Sequence, residues 1–144
     1  MNSKRISLVV GAALLSLAAF APSVAASPRS GDVHVTKECS EYTGQAGSFC
    51  TITVSNIKAI PAGARVVYAS AAGATRLDSD IALVAGPGNV GHGHCTLDFL
   101  ALPGRCTFSG GTGQFTHFHA SVAVSPGAAN IWYWDGAYSF SPPN

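Results

Sequence analysis

The chain has 144 residues, room for one domain but short for two. Charged residues make up 10% of it and hydrophobic residues 47%, the reverse of the balance that keeps a chain disordered. Eight Lys/Arg against seven Asp/Glu leave a net charge of +1 with no basic cluster, so nothing marks a nucleic-acid or anionic-lipid partner.

Residues 1–26 have the parts of a secretory signal. Lys4 and Arg5 form the positive start, an apolar run from Ile6 to Ala21 follows, and Ser23-Val24-Ala25-Ala26 supplies small residues for cleavage. The apolar run is about 16 residues, short of the ~20 needed to span a bilayer, and Pro22 closes it. The expected product is an exported domain over 27–144, secreted or periplasmic, without a membrane anchor after cleavage. Losing Lys4 and Arg5 leaves six basic against seven acidic side chains, a net charge of −1.

Four cysteines follow: Cys39, Cys50, Cys95 and Cys106. An even count in an oxidising compartment reads as disulfides. Ten residues separate Cys39 from Cys50, and ten separate Cys95 from Cys106, with Gly44 and Gly47 in the first gap and Pro103-Gly104 in the second. A hairpin across each gap brings its pair to disulfide distance, so 39–50 and 95–106 are the expected bridges. Zinc is the weaker reading, because no C-x-x-C spacing is present.

After residue 27 the pattern is short β-rich runs punctuated by turn residues. Strands are expected over 32–40, 49–56, 65–70, 81–85, 94–100, 105–109, 115–125 and 131–140. Pro61-Ala62-Gly63, Gly86-Pro87-Gly88-Asn89, Gly110-Gly111-Thr112-Gly113 and Ser125-Pro126-Gly127 mark turns. The Ala-rich stretch 69–74 reads as a loop because Gly73 and its β-branched neighbours disfavour a helix. Eight strands in a chain of this size suit an all-β fold, a small antiparallel eight-stranded barrel stapled by the two hairpin disulfides.

The C-terminal half carries a distinctive arrangement. Cys95-Thr96-Leu97-Asp98-Phe99 leads to Gly104-Arg105-Cys106-Thr107-Phe108, then to Ser109-Gly110-Gly111-Thr112-Gly113-Gln114-Phe115. The chain closes with Trp132-Tyr133-Trp134-Asp135-Gly136-Ala137-Tyr138-Ser139-Phe140. This strand, Gly-Gly-Thr-Gly-x-Phe turn and strand resembles the allene oxide cyclase and dirigent superfamily of eight-stranded barrels, secreted bacterial members in particular. The resemblance covers roughly the last 50 residues. It implies a barrel with a lumen for a small apolar molecule, and non-redox isomerisation or cyclisation as the associated chemistry. It transfers no catalytic residue. The glycines suit a tight reversal at a barrel rim, where Phe115 can fold back over the end.

Five histidines lie in the exported part, and four form two His-x-His pairs, His92/His94 and His117/His119. On a strand each pair projects two imidazoles to one face. Three readings stay open: polar lining of a strand face, a site for Cu, Zn or Ni built from both pairs, or a general acid/base in a cavity. Beyond that divalent metal, no cofactor is expected. On the last strand Trp132, Trp134, Tyr138 and Phe140 share one parity. Trp132, Trp134, Tyr138 and Phe118 are therefore the candidate cavity aromatics, with His117 or His119 as polar handle. The expected function is binding of a small hydrophobic or aromatic molecule, with isomerase or cyclase activity as the enzymatic form. The alternatives are a surface-acting interaction module and a chromophore-carrier apoprotein of β-sandwich type.

Overall fold

The computed structural model describes Ser16, residues 18–21 and residues 29–141. The expected signal, 1–26, falls almost wholly outside them. Eight strands follow in chain order: β1 (Ser30–Glu38), β2 (Phe49–Ser55), β3 (Arg65–Tyr68), β4 (Arg76–Val84), β5 (Val90–Asp98), β6 (Gly104–Gly111), β7 (Phe118–Pro126) and β8 (Ile131–Phe140). Each pairs antiparallel with the next, and β8 returns to β1 to close the barrel. The closing seam is long, running from Ser30 opposite Ser139 to Glu38 opposite Ile131. Closure leaves no strand edge exposed for pairing with another chain.

Alternation explains which side chains face inward. Val33, Val35 and Lys37 on β1, Leu77, Ser79, Ile81 and Leu83 on β4, and Phe118, Val122 and Val124 on β7 are buried, while the residues between them are exposed or half-buried. An eight-stranded barrel is just wide enough for side chains to fill it. Aromatic rings do so here along one half of the axis. Trp134 meets Phe108 edge-on at 5.4 Å, Phe108 meets Phe118 at 5.6 Å, and Phe118 meets Phe115 at 5.4 Å and Phe140 at 5.1 Å. Both expected disulfides are present, Cys39–Cys50 and Cys95–Cys106, and the second joins directly opposed residues of β5 and β6.

Three strand starts differ from expectation by three residues or more, the other boundaries by two at most. β4 starts at Arg76 rather than at Ile81, because Asp78 and Asp80 are the outward half of an alternation whose inward half is Leu77 and Ser79. β5 starts at Val90 rather than His94, because Gly91 and Gly93 lie within the strand and not before it. The Phe115 ring packs where a side chain on Gly91 would stand. Phe115 itself closes a 3-10 turn, Gly113–Phe115, and β7 begins only at Phe118. Gly111 is required by close approach: a Cβ there would meet the Val90 carbonyl and lie 2.7 Å from Phe115 Cβ. Thr112 Oγ1 donates to Gly88 O at 2.9 Å and accepts from Val90 N at 3.2 Å, tying this turn to the β4–β5 connection.

Candidate functional site

The aromatic filling stops at Trp134. Beyond it, at the end formed by the finish of β1 and β3 and the start of β2 and β4, the barrel holds a lysine. Lys37 is 3% exposed and points inward in the same alternation as Val33 and Val35. A register shift in the β1–β2 ladder falls between Thr36 and Lys37, which pair with Val54 and Ile52 and leave Thr53 unmatched. Such bulges re-aim side chains where a strand approaches a site.

Lys37 Nζ donates to the Tyr68 hydroxyl at 2.5 Å and lies 4.8 Å from the ring centre of Trp134 and 5.3 Å from that of Tyr68. Among the described residues no carboxylate pairs with it. Burial without a counter-charge disfavours the ammonium form, and the amine is pushed down from 10.5 to about 7. Burial also raises Tyr68, with a smaller contribution from Tyr42, so Tyr68 remains a protonated phenol. At neutral pH the pair thus combines a substantially unprotonated amine with an O–H donor.

Tyr42 sits on the β1–β2 connection, which the Cys39–Cys50 bridge ties down at both ends. Its ring meets that of Tyr68 edge-on at 5.1 Å. The buried hydroxyl of Tyr42 and the buried indole N–H of Trp134 find no hydrogen-bond partner among the described residues. Unpartnered polar atoms of this kind are costly and uncommon in a packed interior. A cavity of about 50 Å³ opens beside Tyr42. Lys37, Tyr42 and Tyr68 supply its polar groups, and Leu77, Leu97 and Trp132 its apolar walls.

The residues singled out from the sequence separate into three places. Trp132 lines the lysine cavity. Trp134 and Phe118 are fully buried packing residues of the barrel interior. Tyr138 lies at the opposite end, where a wider depression of about 620 Å³ is bordered by Arg29, Ile57, Lys58, Tyr138 and Phe140. His117 and His119 are exposed, with β7 showing its apolar parity inward, so neither reaches the lumen.

Of the two His-x-His pairs, His92 and His94 are exposed on β5. His117 precedes β7 with a positive φ of 62° and only His119 lies on that strand, so the second pair is not a strand-borne pair as expected. β5 and the β7 strand that carries His119 are separated by β6, two strand spacings or roughly 10 Å. Among the described residues no group of three or more His, Cys, Asp or Glu side chains could hold a metal ion. His94 is already engaged: its Nδ1 meets Asp80 and its Nε2 meets Asp78, each at 2.7 Å. The hydrogen bond to Asp80 is the main cause that raises its pKa, slight burial opposes it, and the bond to Asp78 adds to the rise. His34 makes a similar outer contact with Asp135 at 2.9 Å.

Sequence reasoning missed Lys37, Tyr68 and Tyr42. The available signal was alternation on β1, since Val33, Val35 and Lys37 share one parity. A lysine at that parity, in a chain with so few charges, is the anomaly that identifies the site. No family model matches the chain, and neither a curated protein nor a solved structure matches it.

Proposed function

We propose that this barrel is an exported protein that binds a small apolar molecule at the lysine end, with Lys37 and Tyr68 as the polar handles. The observation that carries the reading is the buried lysine without a counter-charge, bonded to a phenol at the edge of an apolar cavity. Perturbed ionisable groups in a concave apolar site are a physical mark of ligand chemistry. The polar handle is thus a lysine–tyrosine pair rather than His117 or His119. The eight-stranded barrel is the fold that the resemblance to allene oxide cyclase-like and dirigent-like proteins implies, which also favours a non-redox role. A lysine free to accept a proton beside a phenol free to donate one suits isomerisation of a carbonyl compound. The two disulfides fit an oxidising compartment, which supports export through the signal at 1–26.

Cavity size bears on the ligand. An aromatic ring does not fit wholly into about 50 Å³ and has to lie across the half-buried rim of Tyr42, Phe99 and Trp132. The test is an NMR screen of small apolar and aromatic carbonyl compounds against isotope-labelled protein. Shifts concentrated at Trp132, Tyr42 and the Lys37 side chain support the reading. Shifts confined to Arg29, Tyr138 and Phe140 would move binding to the opposite end, and a screen without shifts would favour a surface-acting module.

A further inference from the structure

We infer that Lys37 is an amine nucleophile that captures a short-chain aldehyde as an imine in the cavity it shares with Tyr42, Tyr68 and Trp132. This rests on the reading that the cavity takes a ligand, and adds the bond that holds it. Three features converge. Among the described residues no carboxylate pairs with the amine to hold it as ammonium, the Tyr68 hydroxyl lies 2.5 Å away, and apart from Tyr42 the remaining walls are mainly apolar. Desolvated lysines of this kind serve as nucleophiles toward carbonyl carbon because the neutral amine, not the ammonium, carries the reactive pair.

The size of the site selects the substrate. About 50 Å³ accommodates roughly three or four waters, or an aldehyde of two or three carbons. Leu77 and Leu97 favour an alkyl chain over a polyol. The Lys37 lone pair attacks the carbonyl carbon, the C=O π electrons move to oxygen, and one of the two amine protons passes from the now positive nitrogen to that oxygen, giving the neutral carbinolamine. Tyr68 donates a proton to the hydroxyl of the resulting carbinolamine as it leaves. The nitrogen lone pair forms the C=N bond, and nitrogen returns its proton to Tyr68. Aldehyde and amine become imine and water, with no oxidant or reductant consumed.

The experiment treats the full chain, disulfides intact and at neutral pH, with propionaldehyde and cyanoborohydride, which reduces the imine to a stable N-propyl amine. Peptide mapping then compares Lys37 with Lys58, an exposed lysine of the same chain. Lys37 is expected to be modified at least about tenfold faster than Lys58, because about half of its amine is neutral at pH 7. Tyr68→Phe should slow the modification of Lys37 and leave Lys58 unchanged. A bulky aldehyde such as naphthaldehyde should reverse the order, since it cannot enter. A parallel titration with 1-propanol, followed by tryptophan fluorescence, reports whether the cavity accepts a ligand of that size. A fluorescence response with Lys37 unmodified, or modified no faster than Lys58, overturns the imine and leaves the binding site standing. No response and no selective modification overturn both.

Discussion

Replacing Lys37 with methionine removes the one buried ionisable amine among the described residues while keeping an unbranched side chain of similar length. The fall from 10.5 to about 7 corresponds, at ~1.4 kcal/mol per pH unit, to a penalty of about 5 kcal/mol for holding the fully charged amine there. At pH 7, where half of the folded amine is already neutral, about 4 kcal/mol of that penalty remains, and at pH 9 about 2 kcal/mol. Between these values the unfolded chain binds the proton and the folded chain does not, so stability rises with pH. The lysine contribution is therefore a gain of about 2 kcal/mol from pH 7 to pH 9, absent from the variant. Against the relief stands the Tyr68 hydroxyl, left without its partner at a cost of ~1–3 kcal/mol. Lys37→Met is expected to be about 1–3 kcal/mol more stable than the parent at pH 7 and close to it at pH 9. Urea unfolding at pH 5, 7 and 9 under non-reducing conditions measures the difference. Parallel pH profiles for the two proteins would refute the argument, because they would mean that Lys37 keeps its proton on folding.

Other consequences follow from the same geometry. Cys95→Ala with Cys106→Ala opens a loop of about twelve residues and should cost roughly 3 kcal/mol in chemical unfolding, the buried sulfurs of the β5–β6 hairpin being lost with it. Gly136→Ala places a methyl group against the Ser121 carbonyl and 2.8 Å from Val122 Cα, and is expected to destabilise the β7–β8 seam by ~1–3 kcal/mol, read as a lowered urea midpoint. The His94 imidazole should titrate above 6.5 by NMR, and Asp80→Asn should lower its midpoint more than Asp78→Asn does. Because its folded pKa is raised, the stabilisation from His94 is fully present below pH 6.5 and is lost as pH rises through the folded value, opposite in sign to Lys37. A His94→Gln variant should lack that component.

How far the sequence discloses the molecule depends on what each feature requires of its neighbours. Strand count and disulfide pairing are local: turn residues at short intervals and cysteines ten residues apart act within one hairpin, and the folded chain has both. The start of β4 is less legible because Asp78 and Asp80 have the composition of a turn, and only the pairing of Asp78 with Thr96 and of Asp80 with His94 makes them strand. The function of an aromatic stripe is less legible still. Trp132, Trp134, Tyr138 and Phe140 share a parity, yet β8 runs the length of the barrel, so the stripe contributes to the lysine end, the packed middle and the opposite end in turn.

The position of Lys37 shows why a filled barrel need not be an inert one. A wholly apolar interior could continue the stack of Trp134, Phe108 and Phe118 to both ends, and replacing buried charge by packed hydrophobic groups commonly stabilises a fold. This chain instead ends the stack at an amine that costs several kcal/mol to bury, sets a phenol against it, and leaves two further polar hydrogens nearby without a partner among the described residues. None of these groups is needed to close the barrel, whose seams are backbone ladders between β1, β7 and β8. The unfavourable terms are confined to one end, within reach of a cavity, and the Cys39–Cys50 bridge braces the loop that carries Tyr42 over it. Desolvation and unpartnered polar groups concentrated in this way are a common physical accompaniment of a ligand site. The aromatic half is then best understood as the rigid support against which the Lys37 amine is held.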